Sequence, residues 1–161
     1  MRTTQPRLDD RNADRAAPRG CTSFKLRQLT RRVGRHYDGI VAGAGLKTTQ
    51  YSLLSHLATL GPIRPGELAR RMEMDASTLT RNLQPLVVQG WVELGAGDDA
   101  RSRCVTLTEA GRAKRTEASR AWKRAQLALN ENLGPARVAR LHALIDECLL
   151  QLNEPSGESD E

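Results

Sequence analysis

The stretch RPGELARRMEMDASTLTRNLQ, residues 64–84, decides the fold. Pro65 suits the first position of a helix, where its missing N–H is no loss, and Glu67 favours the positive end of the helix dipole. Leu68 and Met72 give that helix, about residues 65–72, a short apolar side. The four residues EMDA make a break. Ser77 to Gln89 is then a second helix, with Leu79, Leu83, Leu86 and Val87 facing inward and Ser77, Thr78, Thr80, Arg81 and Gln84 facing out. Two short helices joined by a tight turn form a helix-turn-helix, and the exposed chemistry of the second suits a major groove. An Arg can bind guanine through two hydrogen bonds, and small hydroxyls reach bases or phosphates without filling the groove. Pro85 leaves the Arg81 carbonyl without its usual donor and is expected to bend the C-terminal half of this helix.

Downstream, Gly90 stops the helix, WVEL (91–94) reads as a strand, and CVTL (104–107) reads as its antiparallel partner with Val105 and Leu107 inward. The connection GAGDDARSR is the loop of a hairpin directly after a helix-turn-helix, which is the order of a winged helix. A hairpin tip can carry Arg101 or Arg103 into an adjacent minor groove, with Asp99 holding the guanidinium by a charge-assisted hydrogen bond. Thr108 caps a long helix of about 109–132 whose face is formed by Ala113, Thr116, Trp122, Leu127 and Leu133. Gly134-Pro135 breaks it. A last helix, 136–152, carries Val138, Leu141, Leu144, Ile145, Cys148, Leu149 and Leu152, with Cys148 read as a small core residue.

Upstream, Phe24, Leu26, Leu29, Val33, Tyr37 and Ile40 recur at helical spacing from Cys21, while Arg27, Arg31 and Arg35 share another face. Gly39, Gly43 and Gly45 are expected to end this first helix. Thr48 or Thr49 offers the cap of the next, whose stripe is Leu53, Leu54, Leu57 and Leu60 and whose stop is Gly61-Pro62. Apolar stripes at both ends of the chain exceed the needs of a small winged domain, so they are expected to pair with a second subunit. The fold class is therefore mainly α with a small β-hairpin wing. Residues 1–20 form a disordered arm, 21–46 a dimerisation helix, 47–108 the winged helix-turn-helix, 109–152 two further dimerisation helices and 153–161 an acidic disordered tail.

The 161 residues carry a net charge of +6. Because the last nine residues hold four acids and no base, the folded part is more basic than the whole, which points to a polyanionic partner such as double-stranded DNA. Three scattered cysteines do not make a disulfide framework, so a reducing cytoplasm is expected. No apolar run approaches the roughly 20 residues that span a bilayer, and no membrane partner is expected.

The succession TTQYSLLSHLATLGPIRPGELARRMEMDASTLTRNLQPLVVQGWVEL, followed by GDDARSRCVTLTEAGRA, resembles the MarR (multiple antibiotic resistance regulator) family of bacterial winged-helix transcription factors. The resemblance covers about residues 22–152, and its most specific parts are STLTRNLQPLVVQGWV and the Asp-x-Arg-Ser…LT-x-x-G signature. It implies a homodimer whose first, fifth and sixth helices interlock, two winged domains straddling a pseudo-palindromic operator, and repression relieved by an effector near the junction of the two regions. Carried onto this chain, Ser77, Thr78, Thr80 and Arg81 face the groove, Asp99 orients, and Arg101 enters the minor groove. The sequence departs at Glu73, where the family often has Gly, and this puts a left-handed turn residue in doubt.

Some members of the family sense organic hydroperoxides through a Cys near the start of the first helix, and Cys21 sits in a comparable place beside Lys25 and Arg27. No cofactor is required by this reading, but Cys21 with Cys104 could take a thiophilic metal or metalloid ion as effector. A small aromatic anion in the apolar space beneath Tyr37, Tyr51 and Trp122, countered by Arg27 or Arg31, is the other effector class. Two alternatives to a regulator remain open at this point: a thiol-dependent redox enzyme using Cys21, and an architectural DNA binder without sequence preference. The sequence shows neither a positioned base nor a resolving partner for such an enzyme.

Overall fold

The computed structural model describes residues 19–96 and 103–153. The chain divides into two compact units, residues 1–33 and 34–161. The first helix, α1, spans Thr22–Val41. Its portion in the first unit leaves Phe24 and Leu26 exposed, and Arg27 donates to Ser23 Oγ at 2.9 Å.

In the second unit α1 runs through Gly39 instead of ending there. It gives way to a 3-10 turn at Ala42–Ala44, and the stop is Gly45, whose φ of 71° a side chain would oppose. Next come α2 (Thr48–Leu60), α3 (Pro65–Arg71), α4 (Ala76–Val88), β1 (Val92–Ala96), β2 (Arg103–Leu107), α5 (Glu109–Leu133) and α6 (Pro135–Asn153). Thr48 and Thr49 lie inside α2. The orphan amides at its start are met from elsewhere: Asp38 Oδ1 accepts from Thr48 N, and Gln50 Oε1 accepts from Lys47 N, both at 2.8 Å.

The turn after α3 is left-handed. Glu73 has a φ of 51°, so the conformation that glycine would ease is adopted by a glutamate. The next helix starts one residue before its expected position, because Asp75 caps it by accepting from Thr78 N at 2.7 Å. Pro85 does not end α4, which continues to Val88; Gly90, with a φ of 69°, turns the chain into β1.

The two strands pair antiparallel from Val92 opposite Leu107 to Ala96 opposite Arg103, so the ladder takes in three residues read as loop: Gly95, Ala96 and Arg103. Ile63 adds a bridge on the other side of β2, exchanging hydrogen bonds with Val105 at 2.8 and 3.2 Å. That bridge fixes the hairpin to the residues leading into α3. The core beneath is apolar: Leu53, Leu54 and Leu57 of α2, Leu68 of α3, Leu79 and Leu86 of α4 and Val105 of β2 are almost wholly buried. Burying one such leucine contributes about 1.5–3 kcal/mol.

Thr108 caps α5 as expected, accepting from Gly111 N at 3.0 Å, and its hydroxyl donates to the Gly90 carbonyl at 2.7 Å. The buried stripe of α5 differs from the expected one. Gly111, Ala118, Ala121 and Ala125 face inward, whereas Ala113, Thr116 and Leu127 are exposed. α5 packs along α2, where Tyr51 stacks on Trp122 with ring centroids 5.8 Å apart, while Gly111 lies against Trp91 and Leu107. On α6 Val138 is buried, but Leu144, Ile145, Cys148, Leu149 and Leu152 are exposed, so Cys148 is not a core residue of this chain. No helix among the described residues is long and apolar enough to cross a membrane.

Candidate nucleic-acid interface

Packing Leu79, Leu83 and Leu86 into the core turns the opposite side of α4 to solvent. Ser77, Thr80, Arg81 and Gln84 are exposed on it, and Thr78 is half-buried at its edge. The five side chains expected to face out therefore share one surface.

The hydroxyls on this surface are already engaged. Ser77 Oγ donates to Asp75 Oδ1 at 2.6 Å, Thr78 Oγ1 donates to Asp75 Oδ2 at 2.7 Å, and Thr80 Oγ1 donates to the Ala76 carbonyl at 2.8 Å. The bonds from Ser77 and Thr78 hold the Asp75 carboxyl far below the usual carboxylate range. In the sequence Asp75 falls within the EMDA break. The signal available was Asp at three residues before a Thr, the spacing of a cap to the third helical amide. Arg81 is exposed and forms no ion pair among the described residues.

On α3, Glu67 accepts from Arg71 Nε at 2.7 Å and from Arg70 at 2.8 and 3.0 Å, which lowers its own pKa. Both arginines are thereby held on the outer side of the first helix of the motif. Their exposure to solvent leaves these ion pairs contributing little to stability. Arg103 is exposed at the first position of β2, opposite Ala96. Asp99 and Arg101 lie outside the described residues.

Cys21 is exposed and falls in the first unit, while Cys104 is half-buried on β2 in the second. Among the described residues no three His, Cys, Asp or Glu side chains gather as a metal site. Tyr37 and Tyr51 are buried, and both lie against Trp122. A cleft of about 640 Å³ instead opens between the C-terminal half of α4 and the start of α5. Gln84, Pro85, Val88, Trp91 and Lys114 line it, with Lys114 Nζ 5.5 Å from the Trp91 ring centroid and 3.1 Å from Glu117.

A family model described as MarR family matches residues 44–102. An uncharacterized HTH-type transcriptional regulator of Bacillus subtilis, YwoH, is 30% identical over 93 residues, which cover 58% of this chain and 68% of the relative. Among solved structures, the Mycobacterium tuberculosis regulator MosR in complex with DNA superposes with a TM-score of 0.69 at 32% identity, over 83% of this chain and 99% of that one. A mutant Escherichia coli MarR complexed with operator DNA gives a TM-score of 0.72 at 26% identity, over 79% of this chain and 92% of that one.

Proposed function

The chain belongs to the MarR family of transcriptional regulators, and from that premise we propose that it is a homodimeric repressor that reads a pseudo-palindromic operator. Regulators of this family are not enzymes, so the thiol-dependent redox alternative for Cys21 is set aside. The observation that carries the reading is the outer face of α4. Ser77, Thr80, Arg81 and Gln84 stand exposed there on a helix anchored by three buried leucines. Thr78 supports the face from its edge, and Arg103 leads into a wing tip where Asp99 would orient Arg101 toward the minor groove.

Dimerisation is supported by the apolar side of α6: Leu144 is 57% and Leu152 81% exposed in the single chain, and a second copy would cover them. Two winged domains related by a twofold axis would then place two copies of α4 at half-sites about 10 base pairs apart. Effector input is proposed in one of three chemical forms: a thiol oxidant at Cys21, a thiophilic metal or metalloid ion, or a small aromatic compound. For the last, the cleft lined by Trp91 and Lys114 offers a ring and a cation side by side.

The deciding experiment is selection from a pool of randomised duplexes, followed by titration of the enriched sequence at several salt concentrations. An inverted repeat should emerge. If the dimer neutralises roughly 6–10 phosphates, affinity should drop about 10³ to 10⁵-fold between 50 and 200 mM salt. Arg81→Ala should weaken the enriched site far more than unrelated DNA. Binding indifferent to sequence would favour an architectural role and defeat the proposal. Release of that DNA by peroxide, by a thiophilic ion or by aromatic acids, compared in wild type, Cys21→Ser and Cys104→Ser, separates the effector classes.

A further inference from the structure

A hydroxyl has a single hydrogen, and on the outer face of α4 each one is already directed inward. The partners of Ser77, Thr78 and Thr80 are a carboxylate and a backbone carbonyl, groups that accept and do not donate. What Ser77 and Thr80 still present to the outside is lone pairs. The exposed Asp75 carboxylate beside them adds only acceptors. Arg81, one turn along the helix from Ser77, presents only donors. The reading surface of α4 is thus graded by polarity: acceptors alone at Asp75, Ser77 and Thr80, donors alone at Arg81, and both in the Gln84 amide beyond it.

Bases in a major groove are divided in the same way. Adenine and cytosine offer an amino hydrogen at the groove edge, whereas guanine O6 and thymine O4 in the corresponding place are acceptors. An acceptor-only surface bonds the first pair and repels the second. Because every base pair holds one base of each kind, such a surface senses which strand carries the amino group rather than A·T against G·C.

We propose that Asp75 is a specificity-determining residue: by taking the hydrogens of Ser77 and Thr78, it requires an amino-bearing base, adenine or cytosine, beneath the first turn of α4, next to the guanine read by Arg81. The inference rests on the operator-reading role proposed above. It makes a prediction about degeneracy: one half-site position accepts A and C alike and rejects G and T.

The test is the same duplex selection carried out with the full-length wild type, Asp75→Asn and Arg81→Ala. Asparagine caps a helix about as well as aspartate, so α4 should keep its start, which circular dichroism melting checks. To keep the cap its carbonyl stays where Oδ1 accepts from Thr78 N and Ser77 Oγ, so its amide takes the place of Oδ2, donates to Thr78 Oγ1 and releases the threonine hydrogen toward the groove. In the wild-type pool, A and C should exceed G and T at this position by about fivefold to a hundredfold, the range of a single mismatched pair. Asp75→Asn should admit G and T there while the neighbouring guanine persists. Arg81→Ala should lose the guanine and keep the A/C position.

An operator whose guanine responds to Arg81→Ala but which has no A/C position, or one that Asp75→Asn selects unchanged, overturns the role of Asp75 and leaves the regulator intact. A pool with no enriched sequence sinks both.

Discussion

Replacing Gly111 by Ala sets two effects against each other, and the structure decides which wins. Gly111 sits three residues into α5, where Ala is ordinarily better than Gly by about 1 kcal/mol. A Cβ built on it, however, would lie 2.0 Å from the Trp91 carbonyl oxygen, 2.9 Å from the carbonyl carbon and 2.7 Å from Leu107 Cδ1. Carbon contacts are comfortable at about 3.5–4.0 Å, so the methyl must move away by more than an ångström. The obstacle is backbone, and it is held in place. Trp91 O accepts from Thr108 N at 3.1 Å, and the preceding carbonyl, that of Gly90, accepts from Thr108 Oγ1 at 2.7 Å. Overpacking of this kind costs about 1–3 kcal/mol, and giving up the two hydrogen bonds costs about 1 kcal/mol each. Net of the helix-propensity gain, Gly111→Ala should destabilise by about 2–4 kcal/mol. Urea denaturation at fixed protein concentration measures this, and thermal melting should show a fall of roughly 5–15 °C. DNA affinity should fall with it, since Trp91 joins the end of α4 to β1. Equal or greater stability in the variant would mean that the carbonyl does not press on α5, and the reasoning would be wrong.

Glu73→Gly should raise stability by about 0.5–1 kcal/mol, because it removes the cost of a left-handed glutamate at a φ of 51°; a lower urea midpoint would refute this. Asp75 has its folded pKa depressed by hydrogen bonds from Ser77 and Thr78, so its contribution is complete above the ordinary carboxylate range and is lost as pH falls toward the folded value. Acid titration of stability should therefore be flatter in Asp75→Asn than in wild type, and superimposable curves would count against the cap. Glu67, lowered by Arg71 and Arg70, should behave in the same direction. Leu149→Glu, on the exposed side of α6, should yield monomers in sedimentation with helix content retained; a persistent dimer would place the interface elsewhere.

The helix-turn-helix and wing were legible because their signals are local. Pro65 at the start of α3, the Leu79, Leu83 and Leu86 spacing, Gly90 and the Thr108 cap each specify conformation within a few residues. The face of α5 was misread for the opposite reason. Trp122 and Leu127 attract notice in a hydrophobic pattern, while Ala118, Ala121 and Ala125 look neutral; their burial depends on the elements packed against α5, which the α5 sequence does not state. Cys148 was misplaced likewise, since its stripe is apolar but no described element of the same chain covers it. Asp75 escaped notice because a capping residue stands outside the apolar period, and its hold on Ser77 and Thr78 is visible only once the turn is built.

The uncovered leucines of α6 carry one more consequence if a second copy does cover them. Folding is then coupled to abundance: by mass action, each tenfold rise in protein concentration favours the folded pair over two unfolded chains by about 1.4 kcal/mol. Dosage would thus set durability as well as occupancy, and a regulator present in few copies would be the one most exposed to proteolysis.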